Sequence, residues 1–463
     1  MFADEALDTV SVQSLWRKSR EAAQESIQQN QDEPEPPGLK DFLQQVEDMV
    51  VRELVKNVRS HAFDGFQASW EDHSQRVLLI HSLQHPGAKE KGLHVTSVSW
   101  SCTGSVIACA YGIDNGDWSN EKSCVCTWNL DRRGLHHSQA DLVIDVPTAV
   151  TALCCHPNQP SLIAGLYSGE VVIWDTSRTQ DSVVAQTGLS ADSHRDPVYQ
   201  VSWVPLQKKG EFGVLSACSG GRVLLWTVGF EQGSFVQKAA YAVLQQQVPH
   251  SSSRFKARSN STVGITSMAL SPWDSDTFLV GSEGGLLLRC SFSSQTLAAT
   301  AFEGQNATLR APAVFSFRPR SGPVHSIHCS PFHNLFVSGS TDGLVHLHSL
   351  LQASPLLSLR VSDSYIFQVQ WSPTRPLVFA AATGKEVQMF DLSHRSLRAA
   401  ATIEQGDADQ AATCLAFNCQ KPHLLAVGKT DGTVNIWQLS ADLMEQSPRE
   451  ISQLEKIANQ VAE

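Results

Sequence analysis

One short unit recurs along this chain and sets what it can fold into. Its clearest copy is Leu424-Leu-Ala-Val-Gly-Lys-Thr-Asp-Gly-Thr-Val-Asn-Ile-Trp437, two apolar runs rich in β-branched residues joined by Thr430-Asp431-Gly432. Asp-Gly between such runs is a strong hairpin signal, because glycine takes positive φ without steric cost. A lone hairpin cannot bury its own apolar face, so copies of it must pack against one another.

Further copies run from Leu162 to Trp174, Val214 to Trp226, Phe278 to Cys290, Leu335 to His348 and Val378 to Phe390, and a stretched copy ends at Trp128 after the enlarged turn Asn115-Gly116-Asp117-Trp118. The seven end positions, Trp128, Trp174, Trp226, Cys290, His348, Phe390 and Trp437, are spaced 46, 52, 64, 58, 42 and 47 residues apart. Each hairpin is preceded by another strand, often closed by Ser-Pro or His-Pro, as in Val150-Thr-Ala-Leu-Cys-Cys-His-Pro157 and Ile366-Phe-Gln-Val-Gln-Trp-Ser-Pro373. A period in the forties with four strands per unit and a terminal Trp is the WD-repeat propeller signature, the longer gaps being insertions. The expected fold is all-β, a seven-bladed propeller over residues 76–440. The strand Arg76-Val-Leu-Leu-Ile-His-Ser-Leu83 lies upstream of the first copy and is expected to pair with the last, closing the ring with the chain's own two ends.

Ahead of the propeller, residues 1–38 are polar, Gln/Glu-rich and end in Asp32-Glu-Pro-Glu-Pro-Pro-Gly38, which reads as a disordered arm. From Leu39 the period becomes helical. Leu39, Phe42, Leu43, Val46, Met49, Val50, Leu54, Val55 and Val58 recur at three- and four-residue steps, opposite Lys40, Gln44, Glu47, Asp48, Arg52, Glu53 and Lys56. This amphipathic helix and the turn Ser60-His-Ala-Phe-Asp-Gly-Phe66 make a segment over 39–66. One reading packs the helix on the propeller. The favoured reading gives its apolar face to a partner, because a closed propeller leaves no unfilled core for nine large side chains. Burying half of them on a partner would contribute on the order of 8 to 10 kcal/mol before association costs.

Between repeats, Gly229 to Val263 is the longest insertion; with Lys238, Arg254, Lys256 and Arg258 among Ser and Gln it reads as a solvated basic loop. Residues 441–463 form a C-terminal tail with a short polar helix, Glu450 to Val461.

Chemistry-bearing motifs are scarce. A net charge of −11 argues against a general nucleic-acid binder. No run reaches eighteen apolar residues, and Met1-Phe-Ala-Asp-Glu5 lacks the pattern of a signal peptide, so no membrane insertion and a cytosolic location are expected. The eleven cysteines are an odd number, contain no Cys-x2-Cys pair and lie mostly in expected strands, where they read as small buried hydrophobes in a reducing compartment. Gly428-Lys429-Thr430 fails as a phosphate loop, since the first glycine position is His423 and a strand follows. His346 and His348 share a strand face, near His325, His328 and His333, but lack the Cys or carboxylate partners of a metal site. No catalytic residue, metal or cofactor is assigned.

Several segments together closely resemble the WD-repeat intermediate chains of cytoplasmic dynein 2, the motor of retrograde intraflagellar transport. They are Phe42-Leu-Gln-Gln-Val-Glu-Asp-Met-Val-Val-Arg-Glu-Leu54, Ser60 to Phe66, Gly92-Leu-His-Val-Thr-Ser-Val-Ser-Trp100, Ala108-Cys-Ala-Tyr-Gly112, Gly116-Asp-Trp118, Trp128-Asn-Leu-Asp-Arg-Arg133, Leu166-Tyr-Ser-Gly-Glu-Val171, Arg310-Ala-Pro-Ala313 and Arg375-Pro-Leu-Val-Phe-Ala-Ala381. The resemblance runs from about residue 39 to 440. It implies a non-catalytic subunit whose propeller holds the motor heavy chain, and whose pre-propeller segment binds light chains and brings in a second intermediate chain. A roadblock-type light chain would take the helix from Leu39 to Val58. Val10-Ser-Val-Gln-Ser14 and Ile27-Gln28-Gln29 faintly resemble the extended peptides that add a strand to other dynein light chains. The implied locations are the cytoplasm, the ciliary axoneme and base, and the centrosome or basal body. The sequence departs from the WD pattern in lacking Gly-His dipeptides and, among the repeat ends, in keeping Trp-Asp only at Trp174-Asp175. Two other functions stand beside this one: an adaptor such as a ubiquitin-ligase substrate receptor, with a dispensable helix, and a propeller hydrolase with a channel-lining carboxylate or His.

Overall fold

Glycine at the hairpin apices does what the repeat requires. Gly343 and Gly432 have φ of +74° and +80°, the left-handed region that other residues resist. A Cβ at Gly343 would lie 2.0 Å from the Ser362 carbonyl oxygen, so no side chain fits there. The strands that these turns join form sheets in a computed structural model describing residues 38–59, 76–113, 122–178, 182–208, 210–229, 233–249, 261–299, 308–393, 398–405 and 410–460, with side chains of the first segment described to residue 56. The arm, the Ser60–Phe66 turn and Gly116-Asp-Trp118 lie outside these residues.

The chain divides into two units, Met1–Glu71 and Asp72–Glu463. The first contains helix α1, Leu39–Arg59, whose first turn starts from Gly38 with a backbone bond from Phe42 N to Gly38 O of 3.0 Å.

The second unit is an all-β propeller of five four-stranded sheets and one nine-stranded sheet. The sheets follow one pattern, in which the first strand of a repeat pairs antiparallel with its hairpin and a fourth strand pairs outside the hairpin. Thus His94–Trp100, Val106–Gly112, Ser123–Asn129 and Leu142–Val146 make one sheet in that order, and Val324–Cys329, Leu335–Ser340, Leu344–Ser349 and Leu357–Arg360 make another. In the nine-stranded sheet, the antiparallel run Val150–Cys155, Ser161–Leu166, Val171–Asp175, Val183–Gln186 meets the antiparallel run Val198–Pro205, Phe212–Cys218, Arg222–Gly229, Ser234–Ala242 at one parallel pair, Ser234 with Gln186, and the ninth strand, Leu309–Arg310, pairs parallel with Ser234–Ala242.

The expected ring closure is present. Val77–Gln84 pairs antiparallel with Thr433–Leu439, from Val77 opposite Leu439 to Gln84 opposite Thr433, and becomes the outer strand of the sheet built from Ala412–Phe417, Leu424–Lys429 and Thr433–Leu439. Leu83 is fully buried in a cluster with Val95, Trp128 and Val434, so the closing strand contributes side chains to the core as well as backbone bonds.

Two readings of the sequence need correcting. The stretch from Gly229 to Val263 is not simply a solvated loop: Ser234–Ala242 within it is the fourth strand of its repeat, ending in the buried Ala240, Tyr241 and Ala242. Lys238 lies on that strand, whereas Arg254, Lys256 and Arg258 fall outside the described residues. The C-terminal helix spans Glu450–Ala458 and is not polar all round. Its Leu454 is buried with Trp371, Phe379 and Phe390, and Ile457 and Ala458 pack against the same cluster. Glu450, 3% exposed at its side chain, pairs with Arg375, which also pairs with Asp391 at 2.9 Å.

Candidate partner-binding helix and propeller seams

Helix α1 presents the apolar stripe that its spacing predicts. At about 100° per residue, Leu39, Phe42, Leu43, Val46, Met49, Val50 and Leu54 share one sector of about 140°, interrupted by Glu53, with Val51 on its flank and Val55 on the opposite side. Phe42, Leu43, Met49 and Leu54 are more than half exposed, at 57%, 53%, 60% and 56%. Leu39, Val50 and Val55 are also exposed, and Val46 is half-buried. Val58 is within the helix, but its side chain is not among those described. Lys56 and Glu53 pair at 2.6 Å on the exposed surface. Large apolar side chains are thus left exposed along several helical turns.

The repeat ends occupy one equivalent place. Trp128, Trp174, Trp226, Cys290, His348, Phe390 and Trp437 all lie on the third strand of their repeats. The first six are buried; Trp437 is half-buried and opposite Leu79 of the closing strand. They are core and seam residues.

Sequence reading missed the polar networks behind two of them. In one repeat Ser216 Oγ accepts from the Trp226 indole N–H at 3.0 Å and lies 2.7 Å from Nε2 of His194. In another, Arg320 donates to Ser338 Oγ at 2.8 Å, Ser338 Oγ lies 3.0 Å from Nε2 of His348, and Arg320 pairs with Asp342 at 2.8 Å. These groups tie a loop between repeats to the second and third strands of the next. Burial, with the nearby Arg222 charge, pushes the His194 imidazole down to about 3. Burial also holds His348 well below the ordinary histidine value, with His346 and Arg320 adding to the effect. Both rings are neutral at physiological pH and serve as hydrogen-bonding wedges. The signal was Ser193-His194, the local counterpart of the missing Gly-His; Arg320 carries no such cue.

The five histidines considered for a metal are spread over separate contacts. His348 stacks on Phe336 with centroids 4.6 Å apart, His325 stacks on Phe367, and His328 Nδ1 accepts the Trp371 backbone N–H at 3.1 Å. His346 stands beside His348 with ring centroids 5.7 Å apart, and His333 lies in the turn between two strands. No helix among the described residues is long and apolar enough to cross a membrane.

The WD domain, G-beta repeat family matches residues 143–175, 313–349 and 402–438. The chain is 50% identical over 429 residues to mouse cytoplasmic dynein 2 intermediate chain 2, covering 91% of this chain and 80% of the relative. This chain belongs to the cytoplasmic dynein 2 intermediate chain 2 family. The human member is 50% identical over 432 residues, 92% of this chain and 80% of its own length. The human dynein axonemal intermediate chain 4 is a more distant relative, 25% identical over 363 residues, 75% of this chain and 40% of the relative. The matches to the mouse and human dynein 2 intermediate chains and the matched repeats agree with the scaffold geometry: these chains are non-catalytic WD-repeat subunits, and the polar networks above are structural.

Proposed function

We propose that the chain scaffolds cytoplasmic dynein 2, its propeller holding the motor heavy chain while helix α1 receives a roadblock-type light chain and the N-terminal segment brings in a second intermediate chain. The assembly would serve retrograde intraflagellar transport and cilium assembly, at the ciliary base and along the axoneme. The observation that carries the light-chain reading is the exposed stripe of α1, whose large side chains have no buried contact commensurate with their size. We place any sites for further light chains in the arm, residues 1–38.

In the same reading the propeller has seven blades. Support comes from side-chain links between successive first strands: Thr96 Oγ to Val150 O at 2.7 Å, Thr151 Oγ to Val198 O, Gln200 Nε2 to Thr266 O at 3.5 Å, Thr266 Oγ to Val324 O at 2.6 Å, and Val369 N to Ser326 Oγ at 3.1 Å. Leu415 N to Gln368 Oε1 at 2.8 Å and Thr413 Oγ to Val95 O at 2.6 Å return the path to its start. The nine-stranded sheet then counts as two blades touching at Ser234 and Gln186.

The test is affinity purification of the tagged chain from ciliated cells with mass spectrometry. Recovery of dynein 2 heavy chain with roadblock-type light chains supports the proposal. Recovery of ubiquitin-ligase subunits without dynein overturns it and leaves the fold standing.

A further inference from the structure

The closing strand ends at Gln84, and the next residue sits at a seam between two sheets. Pro86 follows His85 and disfavours helical backbone there, and His85 is extended, at φ −85° and ψ 118°, before the short helix α2, Pro86–Glu90. Glycine at 87 leaves room for the ring: a Cβ at Gly87 would lie 3.0 Å from His85 Nε2. Across the seam, Cys124 and Cys126 are two residues apart on Ser123–Asn129 and therefore share a face. Their Sγ atoms are 3.9 Å apart. Both thiols and one imidazole nitrogen lie within 4.8 Å of one another. The cysteines belong to the apolar cluster of Leu83, Leu93, Tyr111 and Trp128, and the buried Tyr111 hydroxyl in that cluster has no hydrogen-bond partner among the described residues.

We propose that His85, Cys124 and Cys126 bind a thiophilic divalent cation, zinc, which clamps the exit of the closing strand to the first sheet. Tetrahedral zinc with sulfur at about 2.3 Å and nitrogen at about 2.0 Å sets S···S at about 3.8 Å and N···S at about 3.6 Å. The two sulfurs already stand at about the first distance, 3.9 Å apart, and the imidazole nitrogen lies within 4.8 Å of both, within reach of a side-chain rotation. On binding, each thiol proton leaves to solvent as its sulfur bonds the metal, and the imidazole gives the lone pair of one ring nitrogen while remaining neutral. Two thiolates and a dication sum to zero charge, which suits a buried, apolar surround. The fourth position falls to a water, which keeps the site neutral. Imidazole and thiolates come from elements on opposite sides of the seam, so the metal joins the last sheet to the first where the ring closes.

Full-length protein stripped of metal by a chelator is titrated with Co²⁺ and then Zn²⁺. The expected result is one Co²⁺ per chain with a thiolate-to-cobalt charge-transfer band, displaced by Zn²⁺, and a melting temperature that rises with Zn²⁺. Cys124→Ser with Cys126→Ser removes the band, whereas Ser at the exposed Cys419 leaves it. His85→Gln keeps both thiols and the core, so it separates ligation from folding. It should weaken Zn²⁺ binding by at least about tenfold to a hundredfold and cancel the Zn²⁺-dependent rise in melting temperature, with an unchanged circular-dichroism spectrum. Cobalt binding without a thiolate band, equal affinity in His85→Gln, or a melting temperature insensitive to Zn²⁺ overturns the site.

Discussion

Replacing Leu43 and Val50 with Asp tests the helix at the centre of its stripe. They are 53% and 46% exposed, so about half of each side chain remains to be covered by a partner. That half is worth about 1 kcal/mol per residue when buried. A carboxylate forced into the same contact loses this and adds a desolvation cost of about 1 to 3 kcal/mol each. The double variant is therefore expected to lose about 5 kcal/mol of light-chain affinity, between three and four decades in Kd. Titration calorimetry of a purified roadblock-type light chain against the full-length chain reads this directly. Arg52→Asp, on the polar side, should change the affinity only a fewfold. Exposed substitutions usually move stability by no more than about 0.5 kcal/mol, so the propeller's calorimetric melting temperature should stay put. Unchanged affinity in the double variant would refute light-chain docking on this face. A large fall in melting temperature would show that the stripe packs within the protein instead.

Three further perturbations probe the propeller. Leu83→Ala in the closing strand empties a fully buried site and should cost about 2 to 5 kcal/mol in denaturant unfolding, against near neutrality for the exposed Leu78→Ala on the same strand. Glu450→Ala leaves Arg375 buried with Asp391 as its remaining carboxylate partner; the loss should be about 3 kcal/mol, and limited proteolysis should release the C-terminal helix well before the propeller is cut. For His194, held down to about 3 by burial and Arg222, the unfolded chain takes up a proton near pH 6.5 that the folded chain refuses until about pH 3. Its contribution is whole above pH 6.5 and falls as pH drops toward 3, amounting to about 2 kcal/mol lost at pH 5. His194→Gln should be less stable at neutral pH, yet flatter between pH 6.5 and 5 when melting is followed against pH.

What the sequence disclosed follows the range of the interactions. Thr430-Asp431-Gly432 and the flanking apolar runs specify a hairpin within fourteen residues, and the structure has that hairpin with Gly432 at φ +80°. The stripe of α1 was legible for the same reason. The fourth strand Ser234–Ala242 was not: it ends Lys-Ala-Ala-Tyr-Ala, poor in β-branched residues, and its pairing with Arg222–Gly229 is what makes it a strand. Glu450 looked solvated because its partner Arg375 is 75 positions away. Arg320 taking a place that histidine fills elsewhere depends on Ser338 and His348 lying beside it, a tertiary fact with no local spacing to announce it.

Closure by Val77–Gln84 has a mechanical consequence. The strand occupies the outer position of the last sheet, and its pairing in register with Thr433–Leu439 joins positions about 350 residues apart. Everything N-terminal to it, α1 included, is covalently attached through that strand. A load carried along the chain from α1 first meets Arg76, whose carbonyl accepts from Ser440 N at 2.9 Å and whose side chain donates to Ala400 O at 2.9 Å and pairs with Asp442 at 3.1 Å, and then Val77, opposite Leu439, the far end of the register from Gln84. Peeling from Val77 would break the backbone bonds in sequence, starting where Leu78 and Leu79 are exposed and reaching Leu83, fully buried against Val95 and Trp128, only near the end. Full apolar burial is thus concentrated at the end remote from the load, while the polar contacts of Arg76 hold the near end. Anchorage at His85, one residue past the strand, would act at that same end, so that fraying of the exposed half need not open the ring.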